Sequence, residues 1–309
     1  MKLKIGTRGS KLALWQAYYV ADLLKKGGVE TEIVTIDTKG DKKQDVAIAE
    51  IGTKGVFTEE IEAQLKAGVI DMGVHSAKDM QSELPEDFEL VAFTEREKVH
   101  DVLVGHKKLD LQNPHQIITL GTSSARRKAL FQHYYPHIRT IEIRGNLQTR
   151  IAKMEAGLCD AIVLAYAGIH RMEYDNLIVH EFSTEQFIPA VGQGSITVEV
   201  LSAMPSKKKA LIRQFVNHPE TEQCIRAERA FLKTLRGGCS IPVFALGELS
   251  GKDLHLRGGV IKLDGKEKIQ ESISGPSHTA ENLGNQLAQR VLQQGGDAIL
   301  EEIKKQLQR

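Results

Sequence analysis

KLKIGTRGSKLALWQAYYVADLL (residues 2–24) is answered later in the chain by IITLGTSSARRKALFQHYY (residues 117–135). Gly6-Thr7 followed by Ala13-Leu14-Trp15-Gln16-Ala17-Tyr18-Tyr19 becomes Gly121-Thr122 followed by Ala129-Leu130-Phe131-Gln132-His133-Tyr134-Tyr135. Two more matches follow in the same order. Thr35-Ile36-Asp37-Thr38-Lys39-Gly40-Asp41 pairs with Thr140-Ile141-Glu142-Ile143-Arg144-Gly145-Asn146, and Ala67-Gly68-Val69-Ile70-Asp71 pairs with Ala156-Gly157-Leu158-Cys159-Asp160. One match can be chance; an ordered series points to a duplicated unit.

Each copy reads strand, loop, helix, strand, loop, helix, strand. Lys2–Gly6 and Ile117–Gly121 are short strand-like segments. Lys11–Lys26 carries Leu12, Trp15, Tyr19 and Leu23 at helical spacing, and Ala125–Tyr135 follows it in the second copy. Thr31–Thr38 and Thr140–Arg144 alternate like strands. Thr58–Ala67 and Leu147–Ala156 read as helices, each closed by a glycine suited to a C-cap, Gly68 and Gly157. Met72–His75 and Ala161–Ala165 are apolar strands. Strands alternating with helices predict parallel sheets covered by helices, and two such lobes side by side would enclose a ligand cleft. Trp15 and its match Phe131 read as core residues.

The rest of the chain has a different rhythm. His218–Arg236 reads as an amphipathic helix, broken by Gly237-Gly238-Cys239. Val243–Leu249, Leu254–Leu263 and Ile269–Ser274 alternate like antiparallel strands, and helices close the chain around Thr279–Gln293 and Gly296–Gln308. This predicts a smaller α+β domain. The length, 309 residues, fits two or three domains at roughly 100–200 residues each.

Lys+Arg number 41 against 40 Asp+Glu, for a net charge of +1, so any cationic site must be local. That balance argues against a general nucleic-acid binder. The longest apolar run, Ala161–Ile169, has nine residues, too short for a membrane span of about 20. MKLKIGTRGS enters a strand directly and lacks the apolar core of a secretory signal. Three cysteines (Cys159, Cys224, Cys239) without CxxC spacing predict neither disulfides nor zinc, and fit a reducing cytoplasm. Cys159 and Cys224 read as buried fillers. The eleven histidines show no spacing for metal ligation.

The local cations fall at strand ends, just before helices. The first copy has Arg8-Gly9-Ser10, Lys39 and Lys54; the second has Ser123-Ser124-Ala125-Arg126-Arg127, Arg144 and Arg150. A serine there caps the helix, the helix N-terminus favours anions, and arginine matches a carboxylate with two parallel donors. Read singly these are surface charges; as a set recurring in both copies they describe a site for a multiply carboxylated small molecule. His75-Ser76-Ala77-Lys78-Asp79 ends the third strand and brings a cation and a carboxylate to the same end. A carboxylate among cations can move protons or stabilise a cationic intermediate. Cys239, between glycines and Ser240-Ile241-Pro242, is either an accessible thiol, its thiolate favoured by nearby cations, or an inert loop cysteine.

Together these segments resemble the hydroxymethylbilane synthase, or porphobilinogen deaminase, family. The motifs are Gly6–Gln16, Gly52-Thr53-Lys54-Gly55, His75–Asp79, Gly121–Arg127, Arg144-Gly145-Asn146, Pro189-Ala190-Val191-Gly192-Gln193-Gly194 and Gly237-Gly238-Cys239. The resemblance implies an α/β fold of two lobes like type II periplasmic binding proteins, with a third, smaller α+β domain. Lobe 1 would be residues 1–93 plus 195–216, lobe 2 residues 94–194 and the last domain residues 217–309. It implies a cytoplasmic, monomeric transferase without metal, membrane or nucleic-acid partners. Such an enzyme joins four porphobilinogen units head to tail on a covalent dipyrromethane cofactor, releases ammonia each time, and hydrolyses off hydroxymethylbilane.

The family pattern also implies roles. Cys239 would carry the cofactor by a thioether, and Asp79 would be the catalytic carboxylate, close to the pyrrole N–H groups. Lys78, Asp79, Ser123, Ser124, Arg126, Arg127, Arg144, Gly145 and Asn146 would bind cofactor. Arg8, Ser10, Gln16, Arg144, Arg150, Arg171 and Gln193 would bind substrate, and Lys54-Gly55 would lie in a lid. The chain departs from the family's usual residues at Glu50, where Lys is frequent, at Met80-Gln81, where Val-Pro is usual, and at Ser195, where Ala is common. Two other readings stay open on the residues alone. A two-lobed carboxylate-binding protein would carry no modified cysteine, and a nucleic-acid binder using the arginine loops would show steep salt dependence.

Overall fold

A computed structural model of the chain describes residues 1–38, 58–238 and 241–307. In chain order its first elements are β1 (Lys2–Arg8), α1 (Lys11–Lys26), β2 (Glu30–Ile36), α2 (Glu59–Lys66), β3 (Met72–Ser76) and β4 (Phe88–Phe93). Then come β5 (Asp101–Val104), β6 (Thr119–Gly121), α3 (Ala125–Tyr134), β7 (Arg139–Ile141), α4 (Leu147–Glu155), β8 (Ala161–Ala165), α5 (Tyr166–Arg171) and β9 (Ile178–Glu181). The last are β10 (Ile196–Leu201), α6 (Ser206–Val216), α7 (Pro219–Thr234), β11 (Val243–Ser250), β12 (Asp253–Ile261), β13 (Lys268–Pro276), α8 (Ala280–Val291) and α9 (Asp297–Leu307). Met1–Glu97 with Gly194–Glu222 form one compact unit, and Lys98–Gln193 with Gln223–Arg309 form another.

In the first unit the strands run β2-β1-β3-β10-β4. The neighbours β2, β1 and β3 are parallel, while β10 is antiparallel to both β3 and β4. The expectation of parallel sheets is corrected here. A strand returning from residue 196 is not tied by a βαβ crossover, so nothing forces it to run with its neighbours. Helix α1 starts where Ser10 caps it, its hydroxyl accepting from the Ala13 amide at 3.3 Å. It buries Ala17, Val20 and Leu24, one stripe at helical spacing, in a core with Leu3, Ile5, Met72, Val74, Val198 and Val200. Each such aliphatic side chain contributes roughly 1.5–3 kcal/mol when fully buried.

The second unit repeats the plan with strand order β7-β6-β8-β5-β9. Here β5 is the strand antiparallel to both neighbours, so it stands where β10 stands in the first sheet. Ser124 caps α3 by accepting from the Arg127 amide at 3.4 Å, and Asn146 caps α4 by accepting from the Thr149 amide at 2.9 Å. Gly68 and Gly157 close the matching helices α2 and α4 with φ of 67° and 81°. Phe131, Phe182 and Phe187 cluster under α3 with ring centroids 5.3, 5.0 and 4.4 Å apart. Phe131 is therefore core, as expected. Trp15 is only partly buried, stacked on Tyr19 at 5.3 Å.

The third sheet is the antiparallel meander β11-β12-β13. It forms a core with α7, α8 and α9 around Phe231, Leu254, Leu256, Leu287 and Ile303. Phe244, Leu246 and Ile261 of the same sheet join the Phe131 cluster instead. That sharing accounts for the third sheet and the second lobe clustering as one unit. Cys159 and Cys224 are buried, and burial pushes the Cys159 thiol above its ordinary range.

Candidate active site

In the first unit the reading of the strand ends is testable residue by residue. Arg8 ends β1, Ser10 caps α1 and Ser76 ends β3, after which Ala77–Asp79 form a single tight turn. Gln16, from the buried stripe of α1, donates its amide to the Ser76 hydroxyl at 2.8 Å and so ties α1 to the end of β3. The Ala77 amide donates to the Ser195 carbonyl at 3.0 Å, and Met80 is 3% exposed, so the turn is anchored on both sides of Asp79. Arg8, Ser10, Gln16 and Asp79 line one pocket together with Thr58, His75 and Ser76; Lys78 lies in the same turn but does not line it. The Asp79 carboxylate is half-buried and accepts no hydrogen bond or ion pair among the described residues.

Reaching from this pocket through His75 is a buried polar cluster whose acidic members the sequence reading did not single out. His75 Nε2 stands 3.1 Å from Oε2 of Glu199, with the two side chains 5% and 0% exposed. The space for the imidazole comes from Gly73, directly opposite Glu199 in the ladder: a Cβ there would stand 2.7 Å from His75 Nε2. Glu62 of α2 is also buried, and burial first, then the charge of Glu199, push its carboxyl up against a lowering hydrogen bond from Thr58.

The second unit gathers its cations differently. Arg126 and Arg127 are both buried, and they share Asp101, itself 0% exposed. Arg126 Nη2 donates to Oδ2 at 2.7 Å and Arg127 Nη2 to Oδ1 at 2.8 Å. Their Nη1 atoms donate to the Ile188 and Val163 carbonyls at 2.9 and 2.8 Å. Gln193 donates to Oδ1 of Asp101 at 3.0 Å and to the Val99 carbonyl at 2.6 Å. Burial alone would raise Asp101; the two guanidinium charges outweigh it and hold the carboxyl far below its usual range. Two guanidiniums against one carboxylate leave one positive charge over, and both Nε atoms are buried without a hydrogen-bond partner. A buried, under-neutralised cation pair of this kind favours a further anion.

Around α4 the loop Arg144-Gly145-Asn146 is fixed by its own backbone. Gly145 has φ of 115°, and a Cβ there would meet Thr149 at 2.6 Å, so no other residue fits. Arg150 donates to the Gly145 carbonyl at 2.7 Å and Lys153 to the Arg144 carbonyl at 3.0 Å. Arg144 pairs with Glu142, whose carboxyl is raised by burial but more strongly lowered by Arg144 and Lys128. Ser123 and Ser124 precede α3, and Arg171 ends α5. Lys54, Gly55 and Cys239, with Glu50 and Lys39, lie outside the described residues.

Asp101 and Glu199 were the residues sequence reasoning passed over, and His75 was quoted in its motif without a role. The signal was a charged letter inside an apolar strand, in Asp101-Val102-Leu103-Val104 and in Thr197-Val198-Glu199-Val200. A further buried carboxylate is Glu228, 0% exposed on the helix α7, which accepts from the Gly192 and Gly247 amides at 2.8 Å each.

Comparison with known proteins gives consistent matches. Residues 3–209 match the family model "Porphobilinogen deaminase, dipyromethane cofactor binding domain", and residues 222–293 match "Porphobilinogen deaminase, C-terminal domain". A porphobilinogen deaminase of Desulfosudis oleivorans is 57% identical over 307 residues, covering 99% of both chains. One of Cytophaga hutchinsonii is 52% identical over 305 residues, covering 99% of this chain and 98% of the relative. Among solved structures, an ancestral cationic amino acid solute binding protein is similar at 14% identity, over 69% of this chain and 87% of that one, with a TM-score of 0.42.

Proposed function

This chain belongs to the porphobilinogen deaminase family, and from that premise we propose which of its residues run the family's reaction. The activity is that of a transferase, hydroxymethylbilane synthase: porphobilinogen units are joined head to tail with loss of ammonia on a dipyrromethane cofactor, in tetrapyrrole biosynthesis.

The donor set of the second unit suits that cofactor. Each pyrrole carries an acetate and a propionate, and the Arg126–Arg127 pair has one positive charge more than Asp101 neutralises. Arg126 and Arg127 would hold cofactor carboxylates, with Lys78, Ser123, Ser124, Arg144, Gly145 and Asn146 supplying further donors. Arg8, Ser10, Arg150, Arg171 and the amides of Gln16 and Gln193 would serve the substrate, and Cys239 would form the thioether. When bound, the cofactor supplies the pyrrole α-carbon to which each new unit is joined.

Asp79 carries the proton work. Its carboxylate has no partner among the described residues and lines a pocket with Arg8, Ser10 and Gln16, and this single observation supports the assignment best. A carboxylate held there can accept from pyrrole N–H groups, stabilise positive charge as the amine leaves, and take up the proton lost from the α-carbon. Each of those tasks needs a carboxylate not engaged elsewhere, whereas Asp101 is held between two guanidiniums. The lobes at 1–93 plus 195–216 and at 94–194, the last domain at 217–309, and a monomeric, metal-free, cytoplasmic enzyme with a Lys54-Gly55 lid complete the reading. It rests on the family resemblance; among the described residues no helix is long and apolar enough to cross a membrane.

Asp79→Ala tests the assignment. Intact-protein mass spectrometry is expected to show the two-pyrrole adduct still in place while turnover falls by ~100- to 10,000-fold. Near-normal turnover would remove Asp79 from the reaction. Cys239→Ser is expected to lose the adduct, and finding it intact would put the attachment elsewhere.

A further inference from the structure

The turn that presents Asp79 is held on both sides by one buried acidic cluster. On its N-terminal side, His75 reaches across the space left by Gly73 to Glu199 on β10. On its C-terminal side, Gln81 donates its side-chain amide to Thr58 Oγ1 at 3.1 Å and to Glu62 Oε1 at 3.2 Å. Glu62 and Glu199 are near enough for the charge of Glu199 to raise the Glu62 carboxyl, and Glu59 at the start of α2 adds to the same effect.

The fold does not need this cluster. The strand registers match His75 with Leu164, and Glu199 with Val104. Both counterparts are buried apolar residues in the second sheet. A sheet of the same order therefore closes with hydrocarbon at both positions. Buried charge is costly unless paired, so the polar set in the first unit answers a need other than packing. Position 81 points the same way. Met80 has φ of −73° and ψ of 143°, an extended conformation that also suits a residue before proline, so a proline at 81 would be tolerated and would stiffen the chain. Gln81 restrains the same backbone through its two side-chain hydrogen bonds.

We propose that Gln81 is a positioning residue for the reaction: its amide, hydrogen-bonded to Thr58 and Glu62, clamps the turn so that Asp79 is held in its working pose. The proposal rests on the assignment of Asp79 above. Clamping acts on the chemical step, because substrate carboxylates are bound by other residues.

The test is steady-state kinetics on the cofactor-loaded enzyme, with mass spectrometry and thermal unfolding alongside. Gln81→Ala is expected to keep the adduct and a thermal midpoint within ~3 °C of wild type. Its kcat should fall ~10- to 100-fold while KM stays within ~2-fold. Gln81→Pro should restore most of that kcat, because the ring replaces the lost restraint. Glu62→Leu should reproduce the Gln81→Ala loss, and the double variant should lose no more than either. Wild-type kcat in Gln81→Ala overturns the clamp, as do a fully additive double variant and a Gln81→Pro enzyme as slow as Gln81→Ala. Asp79→Ala, measured in parallel, separates the two ideas. If it is inactive while Gln81→Ala is normal, only the clamp fails; if it is active, the assignment of Asp79 fails first and the clamp with it.

Discussion

The two five-stranded sheets have the same strand order, and each inserts one antiparallel strand from elsewhere in the chain, yet they bury charge at different places. In the second sheet the first residue of that strand is Asp101, ionised between two guanidiniums. Its counterpart in the first sheet is Ile196, matched through the pairs Asp101–Ala165 and Ile196–Ser76. Further along, the first sheet has Glu199 and His75 where the second has Val104 and Leu164. A duplicated scaffold thus tolerates apolar residues at either place. What differs is the buried charge itself: a carboxylate between two guanidiniums in one sheet, an imidazole beside a carboxylate in the other.

The comparison breaks most readily at Asp101. Asp101→Asn leaves Arg126 and Arg127 buried without their counter-charge, and a loss of about 3–5 kcal/mol is expected in chemical unfolding. A loss below about 1 kcal/mol would mean that other groups neutralise the pair. The reverse swap sharpens the contrast. His75→Leu with Glu199→Val copies the second sheet into the first, and should leave stability unchanged or raise it by about 1–4 kcal/mol. Turnover should nevertheless fall, and a swap that keeps full activity would make the polar pair a relic of packing.

The pH dependence of stability should also differ between the sheets. Glu62 is raised by burial above its ordinary 4.5, so the folded chain keeps a proton that the unfolded chain has released. Stability contributed there falls as pH rises from 4.5 through the raised value. Asp101 is lowered below its ordinary 3.8, so its contribution is complete above that value and drains away as pH falls beneath it. Thermal midpoints measured against pH should flatten on the alkaline side in Glu62→Gln and on the acid side in Asp101→Asn. The smallest effect should be symmetric. Ser10→Ala and Ser124→Ala each remove one cap and should each cost about 1 kcal/mol, in keeping with equivalent roles at the two helix starts.

Much of this was legible from the residues because it is local. The caps at Ser10 and Ser124 and the glycines after α2 and α4 are set by neighbours a few positions away. The helix repeat was legible in letters but not in phase. The letters align Ala13 with Ala129, whereas the caps align Ala13 with Arg127 and so put Ala17, not Trp15, opposite Phe131. The antiparallel strands were illegible because their partners lie far along the chain: β10 pairs with residues 73–76 and 88–93. Arg126 and Arg127 were named from the sequence, but their burial was not. A charged letter says nothing of its depth until Asp101 and the Ile188 and Val163 carbonyls are placed beside it. Arg8, Ser10 and Asp79 were grouped by strand-end position and line one pocket, whereas Gln16, inside α1, was named only through the family resemblance.

The last sheet lends Phe244, Leu246 and Ile261 to the aromatic cluster around Phe131, Phe182 and Phe187. During synthesis those three rings are made more than fifty residues before the strands that cover them. A ribosome paused before residue 243 would therefore display a sticky half-finished lobe, and truncated versions for expression or library display should keep the whole of the third domain rather than end at the apparent end of the second repeat.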